Sequence, residues 1–235
     1  SDYVGWLQQQ DQEAASAHWK GLLEGFSAPT QLPFTKLKNN DAVTYGKFVY
    51  PLPVTTTQQL TATAQSNRLT LNSIIQGGWA LLLSRYSGEQ DVVYGSTVSG
   101  RAADLPLING IVGMFINTLP VRTFADGDQP VKTFLQAIQN QQIAMQDFEY
   151  TPLVSVQACS DVPTGQSLFD SIVVFENYPS VGKSELKTIA LEDTEYREQS
   201  NYPIALLVVP GEQLELMWIY DQSRFDSAEI EQLNG

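Results

Sequence analysis

The stretch Val112-Gly113-Met114-Phe115-Ile116-Asn117-Thr118-Leu119-Pro120-Val121-Arg122-Thr123-Phe124 sets the fold class of this chain. From Met114 to Phe124 it is rich in β-branched and aromatic residues and reads as a strand. Gly100 to Gly113, punctuated by Gly and Pro, reads as the loop that delivers it. On the far side of that loop, Asp91 to Val98 is a second β segment. Downstream, Pro130 opens a helix that keeps Val131, Phe134, Leu135, Ile138 and Met145 on one face. Strands flanked by helices make the class mixed α/β.

The same alternation runs outward in both directions. Ala15, Trp19, Leu22, Leu23 and Phe26 recur at helical spacing near the start. Tyr45 to Leu52 reads as a strand, Thr55 to Ala64 as a helix begun by a Thr cap, and Leu71 to Tyr86 as a helix closed by Gly88. Pro152 to Ala158 is a short helical stretch. Further on, Leu168 to Phe175 is an apolar β run and Thr188 to Glu195 alternates. Ile204 to Val209 is expected to pair with Gln213 to Tyr220 across Pro210-Gly211-Glu212. Asp226 caps a last helix through Ile230. The chain starts without Met and stops soon after that cap, so both ends read as cuts in a larger protein.

Composition narrows the function. With 235 residues, 43% of them hydrophobic, the chain can bury a core, and disorder is excluded. Lys plus Arg number 13 against 26 Asp plus Glu, a formal charge of −13. Such a surface repels phosphate backbones and anionic lipid, which makes nucleic acid and membranes poor partners. The single cysteine, Cys159, permits no internal disulfide, and with no signal peptide evident a soluble, cytoplasmic protein is expected. No Gly-rich phosphate loop is present, because Gly77-Gly78 falls inside a helical pattern. One histidine, His18, beside the Trp19 stripe, reads as a boundary helix residue and leaves little room for His-based acid–base or metal chemistry. Cys159 has no basic neighbour and reads as an inert thiol. The run Glu192, Asp193, Glu195 and Glu198 reads as a solvated face rather than a spaced catalytic pair.

Four stretches carry a resemblance. The chain resembles the C-terminal half of a condensation domain from nonribosomal peptide synthetases. Asp2-Tyr3-Val4-Gly5-Trp6 is similar to the family's Tyr-x-Asp-Tyr/Phe-x-x-Trp element, entered part-way. Val112 to Arg122 is similar to its Val-Gly-x-Phe-x-Asn-Thr motif. Gln146 to Leu153 resembles the next motif, with Phe148 and Tyr150 departing from it, and Leu168 to Pro179 resembles the strand and loop that follow. The resemblance runs through all 235 residues and implies a chloramphenicol-acetyltransferase-like lobe over 1–235. It also implies that the family's His-His-x-x-x-Asp-Gly motif belongs to the other lobe, since a chain with one histidine cannot hold it.

By that resemblance the whole domain forms amide bonds between carrier-bound aminoacyl or peptidyl thioesters, and this half is expected to be inactive alone, with no catalytic residue and no metal. Its substrate-side candidates are Ser99, Gly100, Arg101, Asn117 and Asn177. Ser99, in Ser96-Thr97-Val98-Ser99-Gly100-Arg101, is placed at the tunnel floor, where a hydroxyl can donate to a thioester oxygen gaining charge; a turn serine bonding its own backbone is the other reading. Gly100 fits a positive φ or close approach, and Arg101 fits a loop anchor through a bidentate carboxylate pair. Asn117 fits a buried amide bonding nearby backbone. Asn177 fits either the tunnel edge, ahead of a latch segment, or a turn amide. No cofactor is expected to bind directly; the phosphopantetheine arm of partner carrier proteins is expected to enter. The other implied partners are the N-terminal lobe and a neighbouring adenylation domain. A carrier- or domain-docking lobe without chemistry, an epimerization or heterocyclization relative, and a stand-alone acyltransferase are the competing readings.

Overall fold

The computed structural model describes residues 2–33, 44–101, 105, 108–176 and 200–234. Two helices come first, α1 (Asp2–Leu7) and α2 (Gln12–Leu23). Asp11 starts α2 by accepting the backbone N–H groups of Glu13 and Ala14 at 3.0 and 2.9 Å, which satisfies donors that the first turn leaves open. Then follow β1 (Tyr45–Pro51), α3 (Val54–Asn67), α4 (Leu71–Ser87), β2 (Asp91–Val98), β3 (Asn117–Phe124), α5 (Val131–Met145) and α6 (Leu153–Gln157). The last elements are β4 (Ser171–Phe175), β5 (Ile204–Val209), β6 (Glu215–Asp221) and α7 (Ser227–Gln232).

Among the described residues the six strands form one mixed sheet in the order β1-β6-β5-β4-β2-β3. The β2–β4 and β4–β5 pairs are parallel, and the others are antiparallel. Both faces are covered, as the period of two along the central strands requires. Val92 and Tyr94 of β2, Leu206 and Val208 of β5, and Trp218 and Tyr220 of β6 face one core with Trp79, Leu83, Phe134 and Ile138 of α4 and α5. Val93, Ala205, Leu207 and Ile219 face a second core with Trp19 and Leu23 of α2 and Val156 of α6. Gly77 lies where α4 meets α5: a Cβ there would overlap the Leu135 side chain. Its place in the middle of a helix is explained by close approach, despite its low helix propensity.

Arg122 on β3 ties α2 to the sheet. It holds Asp91 of β2 bidentately at 2.9 and 2.6 Å and donates to the carbonyls of Leu22 and Glu24. Four bonds from one planar guanidinium fix the edge strand and the end of α2 together.

Most expected elements are present, with differences at their ends. The helix expected from Thr55 starts at Val54, and Pro53 takes the cap position without a side-chain bond; its fixed φ already suits the entry to a helix. The strand expected from Met114 starts at Asn117. The one expected from Leu168 starts at Ser171. The β5–β6 pair is antiparallel as expected, with Ile204 opposite Tyr220. Thr188 to Glu195 lies outside the described residues. No helix among the described residues is long and apolar enough to cross a membrane.

Candidate functional site

The chain leaves β2 through a tight corner. Gly100 is buried and left-handed at φ 62°, and a Cβ on it would overlap the carbonyl oxygen of Phe115. Only glycine satisfies both constraints. Ser99 is exposed, and its Oγ accepts the Arg101 N–H at 3.3 Å. That bond is the turn-serine arrangement, and because it uses a lone pair the hydroxyl proton is still able to donate.

Arg101 closes the loop by a route different from the one expected. Its Nη1 donates to the backbone carbonyls of Ile108 and Ile111 at 2.7 and 3.2 Å, and its guanidinium lies 4.4 Å from the centre of the Phe115 ring. Among the described residues, two carbonyls and a ring face stand where a carboxylate pair is expected. Loop carbonyls outside a ladder need donors, and a guanidinium supplies several at once.

Where the loop returns to the sheet, Asn117 holds it. Its Nδ2 donates to the carbonyls of Glu149 and Thr151 at 2.9 and 2.8 Å, and its Oδ1 accepts the Thr118 N–H at 2.9 Å. This is the backbone-fixing role expected of a half-buried amide, and it explains why regular pairing begins at residue 117. Replacing Asn117 by Ala removes three bonds, and at roughly 1 kcal/mol each about 2–3 kcal/mol of stability is lost. Asn117→Asp keeps the bond from the Thr118 N–H but loses both donations and sets a carboxylate oxygen against the Glu149 and Thr151 carbonyls, so it should fall at least about 2 kcal/mol in urea unfolding; a loss below about 0.5 kcal/mol would show that the two carbonyls find other donors.

The turn that receives Asn117 carries a carboxylate absent from the sequence-based candidates. Glu149 Oε2 accepts the Gly100 N–H at 3.2 Å. Burial pushes its carboxyl above the usual carboxylate range, and the Gly100 N–H acts in the opposite direction. An isolated Glu between Phe148 and Tyr150 has no sequence signature that marks such a contact.

Aromatic rings join α1 to the same place. Tyr3 and Phe115 meet in a T-shaped pair with ring centres 4.7 Å apart, Tyr3 stacks with Trp6 at 5.7 Å between centres, and Trp6 in turn meets Tyr150 in a T-shaped pair at 5.6 Å. Phe115 itself is 8% exposed, while its neighbours Val112, Met114 and Ile116 are 100%, 93% and 58% exposed. An apolar ridge therefore stands out from the loop beside the corner. His18 stacks on Phe148 at 4.5 Å and is half-buried, which lowers its pKa, with Asp147 pulling the other way. It is a boundary helix residue as expected. Cys159 is partly buried near Ser16 of α2.

Of the five candidates, Ser99, Gly100, Arg101 and Asn117 are thus gathered around one loop. Asn177 lies outside the described residues, as does the latch expected after it.

A family model described as "Condensation domain" matches residues 1–235. A linear gramicidin synthase polypeptide of Brevibacillus parabrevis is 44% identical over 237 residues, spanning 99% of this chain and 5% of that protein. The holo form of AB3403, a four-domain nonribosomal peptide synthetase solved with AMP and glycine bound, superposes with a TM-score of 0.78 at 18% identity, covering 96% of this chain and 19% of the other. The X-domain from teicoplanin biosynthesis superposes with a TM-score of 0.77 at 19% identity, covering 98% of this chain and 54% of the other.

Proposed function

Because the chain belongs to the condensation-domain family of nonribosomal peptide synthetases, whose domains catalyse peptide-bond formation, we propose that residues 1–235 are the C-terminal lobe of such a domain. Coverage supports a half-domain, since 98% of this chain matches the fold of the X-domain yet accounts for 54% of that chain, and the motifs that the sequence resembles support the C-terminal half. The sequence supports it too, since one histidine cannot make the family's His-His pair. An N-terminal lobe of the same domain supplies that motif and the opposite wall of a tunnel.

In the complete domain the acceptor amine attacks the donor thioester carbonyl. A C–N bond forms, the C–S bond breaks, and the thiol of the donor's phosphopantetheine arm leaves. This lobe contributes the tunnel floor at Ser99 to Arg101 and, through Asn177, the start of a latch onto the other lobe. Ser99 is exposed and retains a proton to donate, so its hydroxyl is the group to bond the carbonyl oxygen as charge builds on it. The exposed ridge of Val112, Met114 and Ile116 is the kind of surface a second lobe covers. The partners are aminoacyl and peptidyl carrier proteins and a neighbouring adenylation domain, in the cytoplasm.

The test is a condensation assay on carrier-bound aminoacyl thioesters. The purified 235-residue chain should form no dipeptidyl thioester above a no-protein control, and the chain joined to its upstream lobe should form it. Product from the chain alone would sink the lobe reading.

A further inference from the structure

One turn anchors both ends of the loop between β2 and β3. Residue 149 holds the outgoing end with its side chain, through the Gly100 N–H at 3.2 Å, and the returning end with its carbonyl, through Asn117 Nδ2 at 2.9 Å. The two grips differ in kind. Asn117 grips main chain, which any residue at 149 would present, whereas the grip on Gly100 depends on the Glu149 side chain.

We propose that Glu149 is a positioning residue for amide-bond formation, holding the Gly100 corner and thereby the Ser99 hydroxyl next to it in register with the reacting carbonyl. The proposal rests on the functional reading in which Ser99 lines the tunnel. Its physical basis is the small number of holds on this corner. Gly100 has no side chain to pack. Ser99 is exposed, and its bond to the Arg101 N–H is local, so it shapes the turn without fixing it to the core. Arg101 binds carbonyls at Ile108 and Ile111, within the same loop. Among the described residues, the hydrogen bond that ties this corner to the turn after α5 is the one to Glu149. Glu149 is half-buried, so water competes weakly for the Gly100 N–H. A reacting group misplaced by about 1 Å can lose up to roughly 100-fold in rate, so a corner with one hydrogen bond to the turn after α5 is sensitive to its loss even with Arg101 lying over the Phe115 ring.

The experiment uses the complete domain with loaded donor and acceptor carriers. Glu149→Ala should lower kcat by about 10-fold or more while KM for the acceptor carrier changes less than about twofold. Glu149→Gln, whose amide oxygen accepts the same N–H, should recover to within about threefold of the parent. In the same proteins the Gly100 and Arg101 amides should exchange about 10-fold faster in Glu149→Ala than in the parent or Glu149→Gln, with Val93 to Ser96 unchanged. Should the alanine variant fail to fold, Glu149→Asp, a methylene short of Gly100, carries the same comparison. Parental turnover in Glu149→Ala, equal slowing in Glu149→Gln, or unchanged exchange at Gly100 overturns the proposal. A parental domain that forms no amide would instead overturn the functional reading and the catalytic part of this one, while exchange still decides whether Glu149 holds the corner.

Discussion

Gly100→Val should destabilise the chain by about 2–4 kcal/mol, from strain of roughly 1–3 kcal/mol in a left-handed non-glycine residue plus the loss of the hydrogen bond it displaces. At φ 62° a β-branched side chain meets its own backbone, and its Cβ would also overlap the Phe115 carbonyl. The corner can relieve that overlap only by moving Phe115 or opening away from it. Either movement strips the Arg101 guanidinium from the Phe115 ring and weakens the bond to Glu149. In a domain of this size the melting temperature should fall by about 4–16 °C. Gly78→Ala is the control. Gly78 is exposed within α4, with nothing within 4 Å of where a Cβ would stand and an ordinary helical backbone, so that exchange should stabilise by about 0.5–1 kcal/mol. If Gly100→Val melts with the parent, the corner is not held in the conformation described.

Trp79→Ala should cost still more, about 3–5 kcal/mol for the lost side chain and its cavity. Trp79 is 1% exposed, lies on α4 against Trp218 of β6 at 5.4 Å between ring centres, and donates to Ser171 Oγ of β4 at 3.3 Å. One side chain therefore joins a helix to two strands. Its removal also leaves the buried Ser171 hydroxyl without that donor, which adds to the loss. Against a total stability of about 5–15 kcal/mol, the variant would be partly unfolded at ordinary temperatures if the parent lies at the bottom of that range, near 5 kcal/mol. Trp79→Phe separates the two contributions, since it keeps much of the volume and drops the indole N–H. Urea midpoints should then order parent, Trp79→Phe, Trp79→Ala, with the slope unchanged. An alanine variant within about 1 kcal/mol of the parent would mean that the core closes over the gap.

Much of this architecture is legible without coordinates, and the legible part has a common cause. Asp91–Val98 and Ile204–Val209 have the expected bounds, and α4 runs from Leu71 to one residue beyond the expected Tyr86. In each case the signal is local: β2 and β5 are short runs of largely apolar residues buried along their length, and the caps Thr70 and Gly88 stand next to α4 in sequence. The motif from Val112 to Arg122 belongs to the same class: adjacent residues that, with three other stretches, carry the resemblance to the family whose model matches residues 1–235.

Contacts made across the fold are of another kind. That β2 runs between β3 and β4, antiparallel to one and parallel to the other, follows from how two cores close on opposite faces of the sheet. The burial pattern of β2 records that both faces are covered and carries no information on which strand lies alongside. For Arg101 the residue type suggests a carboxylate and the fold supplies carbonyls, because a guanidinium is equally suited to either and the choice depends on what the folded loop presents. Nothing local singles out Glu149, since its partner Gly100 is 49 positions away. The sequence by itself determined the α/β class, the main elements and the family, because these depend on side-chain periodicity and on residues close together along the chain. Only the tertiary structure decided the strand order, the grip of Asn117 and the hold of Glu149 on Gly100, because a hydrogen bond is formed by atoms within about 3 Å in space, whatever their separation in sequence.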